Sequence, residues 1–204
     1  MNLYVQSVAT AQWGDDKLTI AQQTQYPWSG DISLRVTAGT KSEQGLFLRI
    51  PGWAGTAKFK LNGKVLQPGI DKGYAVVRRR WTTGDVVEVS LPMEVQRLQA
   101  NPAVVEDRGR VALRRGPIVY CLEQVDHKVD IDRIYLPSVA KLEFKSGAIT
   151  GEAMMKPVVT WDDTLYRVAD SKLEGPVALR AVPYAGWGNR GTGKMAVWIE
   201  GSVH

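Results

Sequence analysis

Before residue 100 the chain is a series of short runs in which apolar and polar side chains alternate, and no window sustains a 3.6-residue apolar period. In residues 17–24 Leu18 and Ile20 are set against Lys17 and Thr19, and in residues 32–37 Ile32, Leu34 and Val36 point one way. Strands are predicted there and over residues 3–5, 46–50, 74–81 and 86–91, with turns at Gly14-Asp15-Asp16, Pro51-Gly52 and Thr83-Gly84-Asp85. Residues 57–66 carry the strongest hairpin signal, because Asn62-Gly63 suits a two-residue turn whose central residues both need positive φ.

After residue 100 the pattern continues less regularly. Residues 111–114 and 118–122 form two apolar strands about Gly116-Pro117 and are expected to open a second unit. Further strands are predicted over 134–136, 156–161, 177–184 and 194–200, with a short helical turn at 138–142 and a loop over 147–155. Gln99-Ala100-Asn101-Pro102 is the best boundary, since a helix-breaking Pro joins two patterned regions. The fold expected is all-β: two consecutive antiparallel, jelly-roll-like β-sandwich domains, residues 1–98 and 99–204, without internal repetition.

Composition narrows the chemistry. An apolar fraction of 44% and a charged fraction of 23% are ordinary for a globular chain, and no apolar run approaches the ~20 residues of a membrane helix. The net charge of +5 is scattered except at Arg78-Arg79-Arg80 and Arg114-Arg115, which sit inside strand patterns, so neither nucleic acid nor a membrane is expected as partner. Cys121 is the only cysteine; it lies in an apolar strand, where a buried inert thiol is expected, and it rules out an intrachain disulfide. His127 and His204 are the only imidazoles and His204 is the last residue, so neither a catalytic triad nor a zinc site using two histidines is expected.

A glycosidase needs two carboxyl groups facing each other across the sugar. Asp15-Asp16 and Asp162-Asp163 lie in turn-like settings where Asp bonds to local backbone, and Glu123, Asp126 and His127 cluster without a nucleophile beside them. The glycines of residues 184–194 have the wrong spacing for a phosphate loop and precede a strand rather than a helix. That stretch is expected to be a long hairpin loop displaying Trp187, Asn189 and Arg190. Trp28 and Trp53 also fall in Gly-containing loops, and these five residues are the candidates for contact with a carbohydrate or a neighbouring domain. No catalytic or metal-binding residue is assigned.

One family carries these motifs in this order: Tyr26-Pro27-Trp28-x-Gly30, Leu48-Arg49-Ile50-Pro51-Gly52-Trp53, Asn62-Gly63, Arg80-Trp81-x-x-Gly84-Asp85, residues 115–123, and Trp187-Gly188-Asn189-Arg190-Gly191 with Met195-x-Val197-Trp198. The series resembles the C-terminal portion of the β-L-arabinofuranosidases of glycoside hydrolase family 127, over nearly the whole chain. The resemblance implies a preceding (α/α)6 barrel that performs the chemistry with a cysteine nucleophile and zinc-binding cysteines and glutamates. Cys121 matches a sandwich strand instead, so no catalytic residue carries over. The expectation is a non-catalytic C-terminal part without a cofactor of its own, partnered by the barrel that would hold the zinc. The alternatives are a carbohydrate-binding module for plant-type glycans and an oligomerisation or scaffolding module forming a homo-oligomer.

Overall fold

The computed structural model describes residues 1–168 and 172–202, so His204 lies outside the described residues. The chain divides into two compact units, Met1–Glu94 and Val95–His204. That division falls four residues before the one expected from the sequence, because residues 95–98 form the first strand of the second unit.

Unit 1 contains β1 (Ser7–Trp13), β2 (Asp16–Thr24), β3 (Asp31–Ala38), β4 (Glu43–Arg49), β5 (Lys58–Leu61), β6 (Lys64–Leu66), β7 (Gly69–Asp71), β8 (Tyr74–Arg80) and β9 (Val86–Ser90). They form a six-stranded sheet, β1-β2-β3-β9-β5-β6, and a three-stranded sheet, β4-β8-β7. Alternation decides what is buried: Leu18, Ile20, Ile32, Leu34 and Val36 share one core with Leu46, Leu48, Val77, Val87 and Val89. Every residue of β1 is exposed, including Val8 and Trp13, although the strand pairs with β2 along its whole length.

Residues 3–5, expected as a strand, are not one; the strand starts at Ser7. The preceding residues are tied down individually instead. The Tyr4 hydroxyl donates to the Arg49 carbonyl at 2.6 Å, and the Gln22 amide donates to the carbonyls of Leu3 and Val5. Burial pushes the Tyr4 phenol up to about 12, reinforced by Tyr26 and opposed by Arg49.

Asn62 and Gly63 form the hairpin turn with φ of 50° and 77°, and Leu61 faces Lys64 across it. Asn62 also donates to Asp85 Oδ1 at 2.8 Å and accepts from the Val86 N–H at 2.8 Å. Asp85 in turn accepts from the Thr82 N–H and pairs with Arg79, which lies over the Trp81 ring. Trp81, 1% exposed, donates from its indole to the Gln44 carbonyl. The Asn62-Gly63 and Arg80-Trp81-x-x-Gly84-Asp85 motifs thus form one structural knot.

Unit 2 contains β10 (Val95–Leu98), β11 (Arg110–Arg115), β12 (Ile118–Glu123), β13 (Ile134–Leu136), β14 (Leu142–Lys145), β15 (Ala148–Met155), β16 (Glu174–Pro183), β17 (Met195–Ala196) and β18 (Trp198–Gly201). The β11–β12 hairpin is therefore the second element of this unit, not its opening. The hairpin pairs for three positions, Leu113 to Arg115 with Ile118 to Tyr120, and then forks. The last two strands fill the fork: β17 pairs with β12 at Leu122 and Glu123, and β18 pairs with β11 at Arg110 to Ala112. From β18 the pairings continue through β13, β15 and β16 back to β12, so the sheet returns on itself. Val111, Leu113, Tyr120, Leu122, Ile149, Leu179 and Ile199 pack inside it.

Further expectations fail in this unit, including the helical turn over 138–142, where no helix forms and Leu142 begins β14. Residues 147–155 hold β15, which lies between β13 and β16 in the sheet, and residues 156–161, expected as a strand, form none. The β-branched residues of 156–161 find no strand to pair with. Among the described residues no helix is long and apolar enough to cross a membrane.

The knot around Asn62 makes Gly63→Val a test of the hairpin. A β-branched residue resists positive φ, so the variant is expected to lose roughly 1–2 kcal/mol, read as a lowered thermal midpoint. An unchanged midpoint would contradict the strain assigned to this turn.

Candidate functional site

The five candidate residues fall into two groups. In unit 1 Trp28 is 56% exposed in the loop after the Tyr26-Pro27 bond, while Trp53 is partly buried against the core. Trp53 stacks on Tyr26 with ring centroids 6.3 Å apart and hydrogen-bonds its hydroxyl, and Tyr26 meets Tyr4 edge-on. Trp53 is therefore part of an aromatic lid on the core, and Trp28 is the side chain this loop presents to solvent.

In unit 2 the loop between β16 and β17 carries Trp187, Asn189 and Arg190, and it is bound down over the end of β12. The Gly188 N–H donates to Glu123 Oε1 at 2.7 Å, and the Gln124 N–H donates to the Lys194 carbonyl at 2.9 Å. Arg190 reaches Glu123 Oε2 and grips both oxygens of Asp126 at 2.7 and 2.6 Å. Arg180 adds a second guanidinium to Asp126 at 2.8 Å, and Lys194 spans Asp130 and Asp132 at 2.8 and 2.7 Å. The acidic cluster and the glycine-rich loop, read from the sequence as separate features, are two halves of one ionic clamp. Their partners lie more than sixty positions apart in the chain, and only the closure of the sheet brings them together.

The clamp has a defined electrostatic order. Burial would raise the Asp126 carboxyl, but the hydrogen bond from Arg190 and the charge of Arg180 outweigh it and hold the group below the ordinary carboxylate range. The same carboxylates push the Arg190 guanidinium further up. His127 is engaged on both ring nitrogens: Nε2 accepts the Arg180 N–H at 3.3 Å, so Nδ1 carries the proton donated to the Glu123 carbonyl at 2.7 Å. Cys121 is buried in a small apolar cluster with Ala148 and Val182. Burial, reinforced by Glu123, pushes its thiol up to about 11.

These donors do not suit zinc. The one thiol is protonated in an apolar setting, the described histidine has no free nitrogen, and the carboxylates of Glu123 and Asp126 already hold arginines. Among the described residues no group of three or more His, Cys, Asp or Glu is placed to hold a metal ion. Asp16 and Asp162 are already engaged: Asp16, the first residue of β2, accepts from Ser42 and from the Lys41 N–H, and Asp162 accepts from the N–H and hydroxyl of Thr164. The arginine runs are likewise engaged locally, Arg78 over Phe47, Arg80 on the Thr40 carbonyl and Arg114 on Gln96.

Fold and site together define a protein of consecutive all-β units in which polar clusters brace loops. The chain belongs to glycoside hydrolase family 127: residues 1–93 match the β-L-arabinofuranosidase GH127 middle domain, and residues 95–200 match the family 127 C-terminal domain. A non-reducing end β-L-arabinofuranosidase of Bifidobacterium longum subsp. longum is 35% identical over 201 residues, 89% of this chain and 30% of that protein. The crystal structure of a family 127 β-L-arabinofuranosidase from Geobacillus stearothermophilus T6 superposes with a TM-score of 0.86 at 40% identity, covering 98% of this chain and 33% of the other. A second family 127 β-arabinofuranosidase structure gives 0.81 at 33% identity, with 98% and 34% covered. The chain thus spans about a third of the length of these relatives.

Removing Arg190 would leave Glu123, whose side chain is 5% exposed, without its guanidinium. Arg190→Ala is expected to cost about 1–2 kcal/mol, less than a fully buried pair because the arginine is partly solvated. The pH dependence fixes the sign. The Asp126 carboxyl, lowered in the folded state by Arg190 and Arg180, adds stability that is complete above its unfolded pKa of about 3.9 and is lost as pH falls through the native value. Acid unfolding curves below about pH 4 should therefore be steeper for the wild type than for Arg190→Ala. Parallel curves would show that the clamp does not carry the acid sensitivity.

Proposed function

We propose that this chain is the non-catalytic β-sandwich part of a β-L-arabinofuranosidase-like glycoside hydrolase, supporting an (α/α)6 catalytic barrel that contains the nucleophile and the zinc. The observation that carries this reading is the match of residues 1–93 and 95–200 to the middle and C-terminal domains of the family, together with coverage of only about a third of the relatives. The chemistry of the described residues supports it: the single thiol is buried and protonated, and the clamp carboxylates are neutralised by arginines rather than facing each other across a cleft.

In this reading Trp28 and Trp187 contact the barrel domain. Both are exposed aromatics on braced loops, the kind of side chain that anchors an interface. Trp161, Leu165, Tyr166 and Val168, exposed in the stretch between β15 and β16, are further apolar side chains available for such a contact. When that surface is open to water it also favours self-association of the isolated chain.

Two measurements test the proposal. The coding sequence upstream of Met1 should encode a helical barrel with paired cysteines, and its absence would overturn the reading. The chain alone should release no arabinose from an aryl β-L-arabinofuranoside, with or without added zinc, and a thiol reagent should modify Cys121 only once the fold is opened. Arabinose release abolished by Cys121→Ala would contradict both expectations.

A further inference from the structure

Unit 2 carries a groove of about 650 Å³ on the outward side of its last strand. Alternation builds it: Ile199 and Gly201 of β18 are buried, so Trp198 and Glu200 point away from the core. The register places Arg110 of β11 on one side of Glu200 and Tyr135 of β13 on the other. A guanidinium, a carboxylate and a phenol therefore stand in one row across three strands. In the next row the small Ala112 is opposite Trp198. Tyr184, 46% exposed, and Asp132 complete the wall, and a second depression of about 550 Å³ adjoins the first, sharing Asp132 and Glu200.

The charges along this surface alternate and largely satisfy one another. Glu200 holds Lys156 at 2.7 Å and Asp132 holds Lys194 at 2.7 Å. No single sign dominates, so neither a phosphate chain nor a polyuronate gains much here. The core of a protein interface is depleted of charge, whereas this groove is lined by two carboxylates and a guanidinium. A ligand with apolar ring faces and hydroxyl edges meets both requirements: aromatic walls accept the C–H faces, while carboxylates accept from hydroxyls and a guanidinium donates to them.

We propose that the groove formed by Trp198, Tyr184, Glu200, Asp132 and Arg110 is a binding site for a neutral oligosaccharide. It uses none of Trp28, Trp53 and Trp187, although Tyr184 opens the loop that carries Trp187 and Asp132 also holds Lys194, and it does not depend on the supporting role proposed above. The chain would then hold a glycan at a point of its own, whatever catalytic domain it accompanies.

Calorimetric titration of the chain with arabinohexaose, with trigalacturonate as the charged control, tests this. Saturable binding of arabinohexaose is expected, without comparable binding of trigalacturonate. Tyr184→Ala should weaken it about tenfold, the loss of one aromatic platform of roughly 1.4 kcal/mol, and Glu200→Gln should weaken it at an unchanged thermal midpoint. Trp198→Ala should do the same, with Tyr184→Ala serving as the exposed variant should the tryptophan change unfold the chain. No heat with arabinohexaose, preference for trigalacturonate, or affinity unaltered in both Tyr184→Ala and Glu200→Gln would overturn the proposal.

Discussion

The fork in the β11–β12 hairpin is the constraint on which the second unit depends. Beyond Leu113 and Tyr120 the two strands part, and each leaves a backbone edge that must find partners away from water. The segment from Met195 to Gly201 satisfies both edges in turn, first along β12 and then along β11. Because β18 also pairs with β13, the same segment carries the hydrogen-bonded path round to β15 and β16. Without it the core of Val111, Leu113, Leu122 and Ile199 would lie open along one side.

Two surface features follow from that placement. The loop entering the fork emerges beside Glu123, and so its Gly188 N–H and Arg190 fall within reach of carboxylates on the other strand. The strand leaving the fork turns Trp198 and Glu200 outward between Arg110 and Tyr135, which gives the groove its row of mixed chemistry. Fold closure and groove thus share one seven-residue stretch, and the braced loop leads directly into it. In unit 1 the comparable role belongs to side chains: Trp81, Asp85 and Asn62 link a turn, a strand start and an arginine into one network.

Local signals were read from the sequence well, and long-range ones poorly. The Asn62-Gly63 turn was legible because its φ requirement is a property of two adjacent residues. Strand β1 was not, since Ser7 to Trp13 is exposed on both faces and shows no half-buried alternation. In β15, Gly151 looks like a loop residue, yet a Cβ there would meet the Lys141 carbonyl oxygen at 2.5 Å; the glycine permits close approach rather than a turn. Trp187, Asn189 and Arg190 were found as a loop and Glu123 with Asp126 as a cluster, but their pairing is a tertiary fact that no local pattern encodes. Trp198 and Glu200 were missed as site residues because their neighbours in the groove come from β11 and β13. The one available signal was an aromatic and an acid at alternate positions of a strand.

Arg97 shows what this architecture makes possible. Its guanidinium donates to the carbonyls of Pro137 at 2.7 Å, Ala140 at 2.7 Å and Ser202 at 3.2 Å, so a residue of the unit's first strand is fastened to one just after its last. Positions 97 and 202 are neighbours in space although they are 105 positions apart in the chain. A unit whose ends meet in this way can be treated as a cassette: its gene can be spliced into a surface loop of a host protein, or its ends joined and new ones opened at the Ser146-Gly147 turn, without asking the sheet to change its strand order.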